Sequence, residues 1–192
     1  IGAYSNDGTN GANSGHVRIY DYDGSAWVQV GGDIDGEAAN DQSGRAVSLS
    51  SDGTRVAIGA KFNDGANGSN SGHVRIYDYN GSAWVQVGAD IDGEAANDDS
   101  GRSVSLSSDG SRVAIGAPDN NGNGSSSGHV RIYDYDGSAW VQVGADIDGE
   151  AQGDTLGYSV SLLSVGSRVA IGAPLNDAGN TSSFSYNYGH VR

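Results

Sequence analysis

The seven-residue string His16-Val17-Arg18-Ile19-Tyr20-Asp21-Tyr22 returns unchanged as His73 to Tyr79 and as His129 to Tyr135, and His190-Val191-Arg192 opens a fourth copy. Trp27, Trp84 and Trp140 keep the same beat at intervals of 57 and 56 residues, as do the Ile-Gly-Ala tripeptides that begin at Ile1, Ile58, Ile115 and Ile171. A fixed period of this size marks an array of like supersecondary units. Each is too small to bury its own apolar face and is stabilised by its neighbours. The period divides the chain into units 1–57, 58–114 and 115–170, with a fourth begun at 171–192. The first opens mid-motif, so the chain reads as a window on a longer repeat protein. Recurrence also bears on function. An active site needs one unique constellation, whereas here nearly every polar residue occurs three times, so no enzyme is expected.

Within a unit the pattern is that of short strands. In the third, Val130 and Ile132 alternate with His129, Arg131 and Tyr133, and Asp136-Gly137 then gives a tight-turn signal. Val141 and Val143 alternate with Trp140 and Gln142, Val104 and Leu106 with serines, and Val113 and Ile115 with Ala114 and Gly116. Asp109-Gly110 supplies another turn. The expected unit is a four-stranded antiparallel sheet with one aliphatic face and one small face of Ser, Ala and Gly that also carries Trp and Tyr. Two faces that both need cover predict sheet on sheet, the bulky face of one unit against the small face of the next. Radial stacking as β-propeller blades satisfies this, and so does a linear array.

Composition narrows the partners. A net charge of −14, with one lysine and nine arginines, repels phosphate backbones and excludes nucleic acid. Such an acidic, lysine-poor surface suits salty surroundings. No apolar run reaches the ~20 residues that span a bilayer. Cys and Met are absent, which leaves no disulfide or thiolate site and fits a secreted protein.

The strings Ser100-Gly-Arg-Ser-Val-Ser-Leu106, Val113-Ala-Ile-Gly-Ala-Pro118 and Ser127-Gly-His-Val-Arg-Ile-Tyr133 together resemble the FG-GAP repeat, and the resemblance runs through essentially the whole chain. The Gly-Ala-Pro signature stands at Gly116 and Gly172, while Tyr4 and Lys61 replace its proline. Tyr158 alone keeps an aromatic in the first half of the motif, where Ala46 and Ser103 stand elsewhere. The resemblance implies blades of the β-propeller found in integrin α subunits and in secreted surface proteins. It implies an extracellular or cell-surface setting and a structural or adhesive role. Calcium-dependent binding of a glycan or surface protein is the alternative, and further repeats or copies of the same chain are the other expected partners. The family's calcium loop is not carried over, because Ser107 to Ser111 offers one carboxylate where calcium takes six to eight oxygens.

A different acidic loop recurs as Asp33, Asp35, Glu37, Asp41, then Asp90, Asp92, Glu94, Asp98, then Asp146, Asp148, Glu150, Asp154. Numbered from the first Asp, the carboxylates fall at 1, 3, 5 and 9, the spacing by which a hard-cation loop turns its oxygens inward, so these twelve are the candidate Ca2+ ligands. Glycine at position 4 rather than 6 favours the plainer reading, a solvated loop whose Asp residues cap turns. The histidines occupy equivalent positions on separate units and are expected to bond neighbouring strands. Arg18, Arg75 and Arg131 are expected to pair with the recurring Asp, and the Trp residues to pack between units. Sequons at Asn67, Asn80, Asn123 and Asn180 are candidate glycosylation sites. The loop after the last Gly-Ala-Pro breaks the pattern with Phe184, Tyr186 and Tyr188, candidate contacts for a partner or for the next repeat.

Overall fold

The computed structural model describes residues 1–177 and 189–192, and every regular element among them is a β-strand. In chain order these are β1 (Gly2–Ala3), β2 (His16–Val17), β3 (Tyr20–Tyr22), β4 (Trp27–Gln29) and β5 (Ile34–Asp35). Next come β6 (Ala46–Leu49), β7 (Arg55–Ala60), β8 (His73–Tyr79), β9 (Trp84–Gln86) and β10 (Ile91–Asp92). The third set is β11 (Ser103–Leu106), β12 (Arg112–Ala117), β13 (His129–Tyr135), β14 (Trp140–Gln142) and β15 (Ile147–Asp148), and the last is β16 (Ser159–Leu162), β17 (Val169–Ala173) and β18 (His190–Val191).

Each complete sheet is an antiparallel meander. In the second, β6 pairs with β7 and β7 with β8. The far edge of β8 is shared, with β9 along Tyr77 to Tyr79 and β10 along His73 and Val74. The amide of Val87 still donates to the Ile76 carbonyl, so β9 and β10 form one edge strand interrupted by a bulge that carries Asp90. The third sheet repeats this arrangement in β11 to β15. Each sheet draws on two successive periods: the second runs from Ala46 to Asp92, so a frame opened at Ile58 begins inside β7. The hairpins close through local side-chain bonds. Asp109 Oδ1 accepts from the Ser107 hydroxyl at 2.6 Å and the Ser111 amide at 3.0 Å, while Gly110 takes a φ of 69°.

The aliphatic side chains do not share one face, as the alternation alone suggested. Val104, Leu106, Val113 and Ile115 point back to the second sheet with Tyr133, whereas Val130 and Ile132 point forward to the fourth. Register is the reason. Ile115 lies opposite Arg131, Ala114 opposite Ile132 and Gly116 opposite Val130, so the forward face sets small residues of β12 beside large residues of β13, while the back face carries large residues on both strands. Both faces are covered, the back face by the second sheet and the forward face by the fourth.

Three apolar clusters fill the three gaps between successive sheets. The edges are tied as well. The outward amides of Leu106 and Leu162 donate to Ser48 and Ser105 of the preceding sheet, each at 2.9 Å, which accounts for the Ser-Val-Ser-Leu strand and shields an otherwise open edge. The Ile-Gly-Ala motif has a similar origin. A Cβ on Gly59 would overlap the carbonyl oxygen of Gly101, where the chain passes into the next unit, and Gly116 stands in the same relation to Gly157.

Candidate functional site

The polar residues of highest recurrence gather where one sheet meets the next. His129, the first residue of β13, is buried with its Nδ1 facing Glu94 Oε2 of the preceding unit at 3.7 Å and Asp146 Oδ2 of its own sheet at 3.8 Å. His73 repeats this with Glu37 Oε2 at 3.9 Å and Asp90 Oδ2 at 3.6 Å. The second oxygen of each carboxylate is engaged by another group. Arg75 donates to Glu37 Oε1 at 3.1 Å and Gln86 to Asp90 Oδ1 at 2.6 Å. Arg131 and Gln142 do the same for Glu94 and Asp146 at 3.5 and 2.6 Å. Burial pushes both imidazoles below their usual range, helped by the neighbouring arginine, and the facing carboxylates only partly offset it. Each of these triads places one ligand atom per residue within 4.8 Å of the others, as does His16 with Asp33 and Asp35.

The carboxylates of one acidic loop thus go to separate partners rather than to one point. In the loop from Asp90 to Asp98, Asp90 faces His73 while Glu94 faces His129 across the gap. Asp92 gives its backbone carbonyl to Arg131 at 2.7 Å, and burial raises the pKa of its carboxyl. Asp98 is buried, accepting from the Ala95 amide at 3.0 Å and from Asn120 of the next unit at 3.0 Å. Asp41 and Asp154 hold Ala38 and Asn63, and Ala151 and Asn176, in the same way. The glycine at position 4 serves packing, since a Cβ on Gly93 would overlap the Ser71 carbonyl oxygen.

Arg75 and Arg131 reach Glu rather than the expected Asp, and Arg192 likewise meets Glu150. Arg18 differs: it grips Asp33 with Nε and Nη2 at 2.9 and 2.8 Å. That bond, with a second from Gln29, holds the Asp33 carboxyl down at about 2. Arg18 thus binds a carboxylate of its own sheet rather than one of a neighbouring unit. The asparagines Asn63, Asn120 and Asn176 were not singled out from sequence, although they recur at the period and link every pair of neighbouring units.

The tryptophans pack between sheets. Trp84 and Trp140 each donate to a carbonyl of the preceding sheet, Val30 and Val87, at 2.9 Å. Trp27, in the first sheet, is 70% exposed. Among the sequons, Asn67 and Asn123 commit their amide nitrogens to Gly93 and Gly149 carbonyls at 2.6 and 2.8 Å. Asn80 instead closes a hairpin through Oδ1, where Asp23 and Asp136 stand in the neighbouring units. Asn180, Phe184, Tyr186 and Tyr188 lie outside the described residues.

A model of the FG-GAP repeat matches residues 34–77, a stretch from β5 to Tyr77 of β8 that spans the first junction. Stacked antiparallel sheets are what that repeat implies. No curated protein matches the chain. Among solved structures it is similar to Kuenenia stuttgartiensis hydrazine synthase, at 14% identity and a TM-score of 0.48. That alignment covers 86% of this chain and 37% of the other, so the chain spans well under half of that structure.

Proposed function

We propose that the chain is a stretch of a non-catalytic structural or adhesive array, used outside the cell, in which identical sheets add head to tail. The single observation that carries this reading is the junction itself. The same Asn–Asp, Arg–Glu, Trp–carbonyl and Ser–amide bonds recur from one pair of sheets to the next, always joining the front of one to the back of another. An interface of that kind is heterologous and continues until something closes or caps it. The FG-GAP match supports an extracellular or surface setting, where such repeats typically occur.

The open side of the first junction supports the same reading. An apolar groove of about 500 Å3 lies between the first sheet and β6 of the second, lined among others by Ile1, Val17, Trp27, Val47 and Leu49. Val47 and Leu49 are 39% and 49% exposed there, whereas their equivalents Val104 and Leu106, covered by the preceding sheet, are 9% and 6% exposed. The groove therefore fits the Ser-Val-Ser-Leu strand of another repeat. Sedimentation and electron microscopy over a concentration series test this. Open rods that Val47→Asp/Leu49→Asp disperses without loss of β-structure are expected, closed rings would favour a propeller head with a ligand, and a strict monomer would overturn assembly through this face.

A further inference from the structure

We propose that Glu94, His129 and Asp146 bind a divalent transition-metal ion of the Zn2+ type at the junction of the second and third sheets, and that Glu37, His73 and Asp90 form its twin one junction earlier. The first ground is an orphan. His129 is 1% exposed, and its Nδ1 has no hydrogen-bond partner although it points at two carboxylate oxygens. Buried polar nitrogens are rarely left so, and each one asks for a partner.

Distance supplies the second ground. At 3.7 and 3.8 Å the carboxylate oxygens are too far from Nδ1 for a hydrogen bond. Tetrahedral Zn2+ with bonds of about 2.0–2.2 Å holds its ligand atoms roughly 3.3–3.5 Å apart, so the two nitrogen–oxygen separations need close by only a few tenths of an ångström, and all three ligand atoms already lie within 4.8 Å of one another. Orientation is already set, because Arg131 and Gln142 hold the second oxygens of Glu94 and Asp146 and leave one oxygen of each turned inward. The Glu94 and Asp146 side chains remain 43% and 27% exposed, which gives an ion a path in and water a fourth position. A nitrogen ligand with two carboxylates suits a transition ion better than calcium, which takes more oxygens than this pocket offers. The third convergence is closed, since Arg18 and Gln29 already hold both oxygens of Asp33.

Because glutamate comes from one unit and histidine and aspartate from the next, a bound ion would clamp neighbouring repeats together. The inference goes beyond the array reading and does not depend on it; a clamp inside one chain persists whether or not chains associate. Titration calorimetry of the chelator-treated chain with ZnCl2, and in parallel with CaCl2, tests it. Two Zn2+ per chain are expected, falling to one in Glu94→Gln and to none in Glu37→Gln/Glu94→Gln, with no response to calcium. The substituted glutamates are half-exposed, and circular dichroism verifies that the variants fold. X-ray absorption at the zinc edge should show imidazole nitrogen among the ligands. Absence of Zn2+ binding, or binding unchanged in the double variant, would overturn the proposal.

Discussion

Asp109 shows how much a single carboxylate does in a chain so rich in turns. Its Oδ1 gathers the Ser107 hydroxyl and both the amide and hydroxyl of Ser111, and these bonds hold its pKa at about 2. Asp52, Asp23 and Asp136 are lowered by bonds of the same kind. A folded pKa below the unfolded value of about 3.9 stabilises the fold fully above that value, and the contribution is lost as pH falls toward 2. Asp109→Asn keeps the acceptor but not the titration, as Asn80 does in its own hairpin. The variant should therefore lose less melting temperature between about pH 4 and 2 than the parent, read by circular dichroism. An identical acid limb would mean that the turn contributes nothing to acid sensitivity. This turn was legible in the sequence, because the bonds that Asp109 Oδ1 accepts all come from residues two positions away.

At the scale of the element, the link that matters is the one sequence did not flag. Asn120 reaches across the gap to Asp98, both buried, and its removal leaves a carboxylate oxygen short of a partner in a place water does not reach. Asn120→Ala should destabilise the chain by about 2 kcal/mol in urea unfolding, the usual effect of orphaning a buried charged group's partner. Gln152, exposed on the loop before Asp154, provides the control and should change little on substitution by alanine. The strands themselves were legible: alternation and Asp-Gly turns gave their places and the meander order. Their facing was not, because alternation fixes two faces per strand but not which face of β12 joins which face of β13; register decides that, and it depends on pairing Ala114 with Ile132. The partners of the acidic loop were hidden for a related reason. Its 1, 3, 5, 9 spacing is genuine, yet a bulge at Asp90 and a turn at Asp98 leave Asp90, Glu94 and Asp98 facing three different neighbours.

For the whole molecule, charge and repetition set the behaviour. Fourteen excess negative charges on 192 residues repel one another over the ~10 Å screening length of 0.1 M salt. Raising NaCl from 10 mM to 0.5 M should therefore raise the melting temperature, measured by scanning calorimetry; a fall would mean that the Arg–carboxylate links outweigh the general repulsion. The period disclosed stacking from sequence alone, while the histidine junctions emerged only when Glu94 and His129, 35 residues apart, met across a gap. One consequence follows from glycines such as Gly59 and Gly116, each lying against the chain as it enters the next unit. Every junction is sealed by the same local fit, so a whole period can be spliced in or cut out without disturbing the contacts on either side. Copy number is then a free dial. A lineage could lengthen or shorten such a molecule in steps of one sheet, roughly 10 Å at a time in an open stack, while each remaining joint stays as it was.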